Sequence, residues 1–235
     1  MTLMIVGTDT EVGKTVVSAL VCRRYADLAP PLTYWKPVAS GTIEGRDSIT
    51  VADLTAGRPV RIAPETSAHR EPLSPHLAAR LDGDRIARTR IHDAFRALRA
   101  ADDAGPLVIE GVGGLLVPLS DAGDLLIDLI GELAAIEGPR FGCLLVARST
   151  LGTINHSLLS LEALRRRNLP VAGVVLNGPP NDENQRAVAR FGDAPVLGTV
   201  PRLNPLDAAA LDRVAADWDP ENRLVPWLSG GVRAG

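Results

Sequence analysis

The chain has 235 residues, of which 46% are apolar and 23% charged, and these values fit one globular domain that needs no disulfide bonds to fold. The 25 basic and 28 acidic residues give a net charge of −3, which excludes the broad basic surface that a nucleic acid backbone requires. No apolar run reaches the roughly 18 residues of a membrane span, and Asp9 and Glu11 come too early for a secretory signal. Cys22 and Cys143 lie in apolar segments without metal-ligand spacing, as buried free thiols do. We therefore expect a cytoplasmic protein that binds neither membranes nor nucleic acid.

Short apolar runs alternate along the chain with segments of helical spacing. The runs predict buried strands at residues 3–6, 32–35, 107–109, 141–147, 171–176 and 196–200. Helices are predicted at residues 14–28, 85–101, 155–166 and 182–191. Strands that alternate with helices indicate an α/β fold, with a mostly parallel β-sheet flanked by helices, in a single domain.

Two segments show neither the apolar run of a strand nor the spacing of a helix. Residues 58–75 are rich in Pro, Ser and Thr and predict a long loop at the carboxyl edge of the sheet. Residues 219–235, with two prolines and several glycines, predict a weakly ordered C-terminal tail. The domain is therefore expected to span residues 1–218.

Residues 7–15, with the sequence GTDTEVGKT, have the pattern of a phosphate-binding loop between the first predicted strand and the first predicted helix. The strict pattern G-x-x-x-x-G-K-[ST] would place its first glycine at position 8, where this chain has Thr8 directly after Gly7. Gly13, Lys14 and Thr15 supply the turn, a cation for the outer phosphates and a hydroxyl for Mg2+ at a helix N-terminus. The loop predicts binding of ATP or GTP.

Two further charged residues follow predicted strands. Glu110 precedes a glycine-rich turn at residues 111–114, and Lys36 precedes Pro37. The carboxyl ends of parallel strands form the edge where ligands bind, and Mg2+ prefers a few oxygen ligands, so Glu110 is the first candidate to join Thr15 at a metal ion. Taken alone, a lysine before a proline is more often a solvated loop residue, and only the resemblance described next gives Lys36 a role.

Four motifs occur in the order typical of the dethiobiotin synthetases: the phosphate loop, KPVASG at 36–41, EGVGG at 110–114 and GTINH at 152–156. The chain resembles this family from its first strand to Pro201 and beyond. The resemblance implies a phosphate-loop NTPase-like fold and an ATP-dependent ligase of biotin synthesis. Such an enzyme joins 7,8-diaminononanoate and CO2 into the ureido ring of dethiobiotin, through a carbamate and a carbamic-phosphoric anhydride, and releases ADP and phosphate.

The resemblance also implies roles for individual residues. Lys36 would be the principal catalytic cation, and Lys14 would share the neutralisation of phosphate and carbamate charge. ATP would contact Thr10, Glu11, Val12, Gly13, Lys14, Thr15, Val16, Glu110, Gly111, Val112 and Gly113. Mg2+ would be held by Thr15, Asp47 and Glu110, with Asp53 as the alternative acid in the approximately matched loop. Ser40 and Thr10 would touch the diamine or the carbamate.

Three further regions gain roles only from the resemblance. Asn155, near the start of a predicted helix, would bind the substrate carboxylate across the interface of a homodimer. Asn177 would contact the adenine, although Gly178 stands where the family often has an acid. Pro201, Arg202 and Leu203 would form the loop beside the adenine.

Two other functions remain open from the sequence. One is a different ATP-dependent ligase on the same scaffold, such as an amide synthase of the cobyrinate type, although the chain has no room for the glutaminase domain that such enzymes usually add. The other is a nucleotide-switch ATPase that assembles with partners. Partition and cell-division ATPases of that class place a second lysine where this chain has Asp9, which argues against the switch.

Overall fold

Nine strands occur in the computed structural model, which describes residues 1–229. They are β1 (Thr2–Gly7), β2 (Leu32–Trp35), β3 (Val38–Ala39), β4 (Val60–Ala63), β5 (Ser67–Ala68), β6 (Leu107–Glu110), β7 (Phe141–Arg148), β8 (Val171–Asn177) and β9 (Val196–Val200). Seven of them form one sheet in the order β4-β2-β6-β1-β7-β8-β9, and every adjacent pair in it is parallel. The two remaining strands, β3 and β5, pair separately.

Helices cover both faces of the large sheet. They are α1 (Lys14–Arg24), α2 (Asp47–Leu54), α3 (Pro75–Leu81), α4 (Arg88–Ala100), α5 (Leu126–Glu137), α6 (Thr153–Arg166), α7 (Asp182–Gly192), α8 (Ala208–Asp217) and α9 (Val225–Leu228). Along β1, Leu3 and Ile5 face the core that α1, α2 and α8 cover, whereas Met4 and Val6 face the core under α4 to α7. Within residues 1–229, no helix has the length and apolar character needed to cross a membrane.

The predicted fold class is confirmed, and all six predicted strands are present with ends within one residue of those expected. These strands are recognisable because a parallel sheet covered on both faces needs continuous apolar runs. The two cysteines are free and buried, and burial raises the pKa of the Cys143 thiol to about 12.

The expectation of a long loop at residues 58–75 was wrong. That segment contains the edge strand β4, in parallel register with β2, and the short strand β5, and it runs into α3 at Pro75. In β4 only Ala63 is buried, so the strand lacks the continuous apolar run of an inner strand. The predicted first helix also ends four residues early, at Arg24.

Part of the predicted weakly ordered tail packs against the core. Asp219, Leu224 and Leu228 are buried, and α9 lies against β1. The Asp219 carboxylate accepts hydrogen bonds from Tyr25 and from the backbone of Leu224, which ties the segment to the end of α1. Residues 219–229 therefore differ from the expectation, and the rest of the predicted tail, residues 230–235, lies outside the described residues.

The sheet order places three strand ends side by side at one edge. β1 leads into the phosphate loop, its neighbour β6 ends at Glu110, and β2 on the far side of β6 leads into Lys36. The register pairs Trp35 with Ile109, so the next residues, Lys36 and Glu110, stand at the same level. The topology thus brings together residues that are 74 positions apart in sequence.

Candidate active site

The phosphate loop between β1 and α1 depends on backbone conformations that favour glycine. Gly13 has φ of 92° and Glu11 has φ of 56°, both in the left-handed region. At Gly7, a Cβ atom would lie 2.9 Å from the Asp9 carbonyl oxygen and 3.0 Å from Lys14 Nζ. Lys14 Nζ donates to that carbonyl at 3.0 Å. The loop therefore needs glycine at position 7, one residue before the place that the strict pattern gives it.

Gly13→Ala should weaken ATP binding about tenfold, because alanine strains a left-handed position by roughly 1–2 kcal/mol and its Cβ would displace the Asn177 amide, 1.7 Å away. Titration calorimetry with ATP measures the effect. Gly57→Ala is the matched control, since Gly57 has φ of 79° with nothing within 4 Å of the added Cβ. Equal ATP affinity in both variants would contradict the prediction.

Two carboxylates, a hydroxyl and an ammonium converge beside the loop. Thr15 Oγ1 lies 2.7 Å from Asp47 Oδ1 and 2.9 Å from Glu110 Oε1. Lys36 Nζ lies 2.6 Å from Asp47 Oδ2 and 2.8 Å from Glu110 Oε1. Glu110 is fully buried and Lys36 is 4% exposed, so both charges depend on each other for compensation.

Burial and neighbouring charges set the protonation of these groups. Burial lowers the pKa of Lys36, but Glu110 and Asp47 outweigh it and the net shift is upward. Burial raises the pKa of Asp47, but Lys36 outweighs it and the net shift is downward. For Lys14, burial prevails over the attraction of Glu110 and lowers its pKa to about 8. Lys36 is therefore held as an ammonium between two carboxylates.

The same oxygens fit a magnesium ion. Mg2+ takes oxygen ligands at about 2.0–2.1 Å in an octahedron, whose adjacent ligand oxygens are therefore roughly 2.9 Å apart. The Thr15 hydroxyl stands at 2.7 and 2.9 Å from one oxygen of each carboxylate. A hydroxyl with two carboxylates is the donor set that this ion selects together with phosphate oxygens.

A cavity of about 360 Å³ opens over these groups. All of its lining residues have a role that the family resemblance implied, in catalysis or in binding ATP, substrate or metal. They are Thr10, Glu11, Gly13, Lys14, Thr15, Val16, Lys36, Ser40, Asp47, Glu110, Val112 and Gly113. Asp47, the uncertain acid, is in the cluster, at the first position of α2.

Other residues assigned to the site do not line this cavity. Val12 and Gly111 are buried beneath it, and the Val12 carbonyl accepts a hydrogen bond from Asn177 Nδ2 at 2.9 Å. Asn155 is exposed in the first turn of α6. Pro201, Arg202 and Leu203 follow β9, and Leu203 packs against the core. A single chain thus brings together the residues that line the cavity and leaves these outside its lining.

Sequence reasoning missed two residues that support the site. Tyr34 OH donates to Glu110 Oε2 at 2.9 Å, and burial together with Glu110 raises the pKa of this tyrosine well above its ordinary value. Arg148, at the end of β7, donates to the Thr10 carbonyl at 3.0 Å and stands 3.5 Å from the Asp9 carboxylate. Tyr34 and Glu110 lie on the neighbouring strands β2 and β6, and Arg148 reaches the phosphate loop from β7. No spacing within the sequence reveals either contact.

One sequence signal for Lys36 was available. The chain has two lysines among its 25 basic residues, Lys14 and Lys36, and both line the cavity. Arginine serves at all other basic positions. A lysine ammonium is compact and can bind a phosphate as a point charge, unlike a guanidinium. The use of lysine at positions 14 and 36 alone therefore marks both as candidate functional residues.

Solved structures share the fold at low sequence identity. A ParA family ATPase from Chlorobium tepidum aligns with a TM-score of 0.55 at 10% identity and covers 96% of both chains. A MinC:MinD cell division protein complex from Aquifex aeolicus aligns with a TM-score of 0.59 at 12% identity and covers 100% of this chain and 99% of the other. At these identities the likeness concerns the fold alone.

Sequence relatives are much closer. The ATP-dependent dethiobiotin synthetase BioD of Brucella ovis is 45% identical over 209 residues, which cover 89% of this chain and 90% of the relative. The biotin biosynthesis bifunctional protein BioCD of Bordetella avium is 47% identical over 212 residues, although the chain spans only 41% of that longer protein. A family model described as an AAA domain matches residues 1–210. Because identity of this level extends over nearly the whole of a relative, the chain belongs to the family of the ATP-dependent dethiobiotin synthetases.

Proposed function

We propose that this chain forms dethiobiotin from 7,8-diaminononanoate, CO2 and ATP. The observation that carries the proposal is the cavity in which the two lysines of the chain face Asp47, Glu110 and the phosphate loop. A reaction that joins a carbamate to a γ-phosphate gathers several negative charges in one place. Two buried ammonium groups and a helix N-terminus provide the compensating positive charge.

The residues divide the work by position. The loop amides and Lys14 bind the phosphates of ATP at the N-terminus of α1. One amine of the diamine takes up CO2 and loses a proton to give the carbamate, whose oxygen attacks the γ-phosphorus while the bond to ADP breaks. The second amine then attacks the carbamate carbon and loses a proton, and phosphate leaves as the ring closes. Lys36 stabilises charge on the phosphoryl and carbamate oxygens, and Ser40 positions the diamine or carbamate. Catalysis here rests on alignment and charge neutralisation.

Mg2+ is the proposed cofactor, held by Thr15, Asp47 and Glu110. When bound, it would neutralise part of the charge that develops during phosphoryl transfer. Lys36 shares both carboxylates with this site. The ammonium therefore lies directly beside the proposed metal ligands.

The test is to measure ADP release with Mg2+, ATP and bicarbonate, with and without 7,8-diaminononanoate, while dethiobiotin is followed by mass spectrometry. We expect ADP release that depends on the diamine and matches dethiobiotin one to one. ADP release without dependence on the diamine and without a ring product would contradict the ligase and favour a nucleotide switch. Diamine-independent turnover with another amine acceptor would favour a different ligase of the same scaffold.

We also propose that the enzyme acts as a homodimer in the cytoplasm. Asn155 and the apolar side chains of Leu151 and Leu159, which are 103% and 57% exposed, lie in or beside α6. In a dimer, this surface would bring Asn155 to the substrate carboxylate of the other subunit.

Asn155→Ala should raise KM for the diamine about tenfold, as loss of a hydrogen bond to a charged group does, with kcat nearly unchanged. Light scattering gives the mass, and full activity from a monomer would contradict the shared site.

A further inference from the structure

The two oxygens of the Glu110 carboxylate have different partners. Oε1 accepts from Lys36 Nζ at 2.8 Å and lies 2.9 Å from Thr15 Oγ1. Oε2 accepts from the hydroxyl of Tyr34 at 2.9 Å. Tyr34 and Glu110 are both fully buried, so water does not compete for either oxygen.

Strand register explains how Tyr34 reaches this carboxylate. Tyr34 pairs with Val108 between β2 and β6, and Glu110 follows two residues later on β6. Side chains two residues apart point to the same face of a strand, so Tyr34, Lys36 and Glu110 share the face that α1 covers. Thr15 enters from the first turn of that helix.

Glu110 needs such a contact because its own torsions do not fix the carboxylate. The terminal torsion of a glutamate is broad and roughly two-fold, so rotation could present either oxygen to Thr15. A buried carboxylate oxygen without a donor is also costly. The tyrosine hydroxyl removes both problems, because it holds one oxygen toward β2 and directs the other toward Thr15 and Lys36.

We propose that Tyr34 is a positioning residue for the metal site, which acts by holding Oε2 of Glu110 so that Oε1 is presented to the divalent cation. The inference rests on the proposed function, since it deepens the Mg2+ site of that reaction. Tyr34 itself touches neither nucleotide nor diamine, because it does not line the cavity. Its removal should therefore change metal affinity and leave nucleotide affinity in the absence of metal unchanged.

The experiment compares Tyr34→Phe with Tyr25→Phe. Tyr25 is also buried and also donates to a buried carboxylate, that of Asp219, at the other end of α1 and outside the cavity. Both substitutions remove one hydroxyl and keep the ring, so both variants should fold, which melting curves verify. Mn2+ serves as the probe. The enzyme is mixed with ADP and kept in excess over the nucleotide. Binding of Mn2+ is followed by the loss of the electron paramagnetic resonance signal of the free ion.

Tyr34→Phe should weaken Mn2+ binding about 10–100-fold, which is the usual effect of losing a partner that orients a metal ligand. Its affinity for ADP in EDTA should stay within about twofold of wild type, and Tyr25→Phe should bind Mn2+ normally. Wild-type Mn2+ affinity in Tyr34→Phe would overturn the inference. An equal loss in Tyr25→Phe, or no Mn2+ binding by the wild type, would overturn it too. Mn2+ binding needs no diamine, so the result is independent of whether the chain makes dethiobiotin.

Discussion

Lys36→Ala should lower kcat roughly 10²–10³-fold, the usual effect of removing a group that stabilises charge in the transition state, while ATP affinity stays close to wild type. The ammonium lies between Asp47 and Glu110, whereas Lys14 belongs to the phosphate loop itself. Its charge is needed most when negative charge gathers on the phosphoryl and carbamate oxygens. Dethiobiotin formation gives kcat, and titration calorimetry gives the ATP affinity. Normal turnover in the variant would remove Lys36 from catalysis.

Stability must be separated from catalysis in this variant. Removing one partner of a buried ion pair lowers the free energy of unfolding by about 3–5 kcal/mol. Because the side chain of Asp47 is 38% exposed, the loss in Lys36→Ala should lie toward the lower end of this range. Arg23→Ala is the control, because Arg23 is a buried cation paired with Asp212 away from the cavity. We expect both variants to have a lower melting temperature than wild type and only Lys36→Ala to lose turnover. Lys36→Arg should also be impaired, since a guanidinium is larger and planar.

Six of the seven strands of the large sheet were predictable because they are continuous apolar runs, as strands covered on both faces require. β4 was missed because it is a short edge strand in which only Ala63 is buried, and α2 was missed although it carries Asp47 into the site. In α2, three of eight residues are buried, which is too few to reveal a helical period in a segment next to glycines and charged residues. Packing against α1 and β4, not local sequence, defines this element.

The convergence of the loop, Lys36 and Glu110 in one cavity was predictable for a different reason. A phosphate loop is a local structure, so spacing within nine residues fixes its geometry, and the motifs after β2 and β6 meet it at the sheet edge. Tyr34 and Arg148 act across strands, and their contacts depend on which strands are neighbours. Asn155 is a third case, since its proposed role needs a second subunit.

The second large effect is expected from Lys14→Ala, which should weaken ATP binding about 10–100-fold, in proportion to the loss of a hydrogen bond to a charged group, and should lower kcat as well. Lys14 belongs to the phosphate loop, where its Nζ bonds to the Asp9 carbonyl, so its charge faces the phosphates both before and during the reaction. Lys14→Ala should therefore affect both ATP affinity and kcat, whereas Lys36→Ala should affect kcat alone.

This contrast tests the division of labour between the two lysines more strictly than either variant alone. Calorimetry with ATP and steady-state kinetics on both variants give four numbers, and only Lys14→Ala should change the ATP affinity. Because Lys14 lies at the start of α1, its replacement leaves the helix N-terminus in place as a positive group for the phosphates. If Lys14→Ala still binds ATP and the double variant with Gly13→Ala does not, the difference measures the contribution of the helix N-terminus. Unchanged ATP affinity in Lys14→Ala would show that the loop amides bind the phosphates without the lysine.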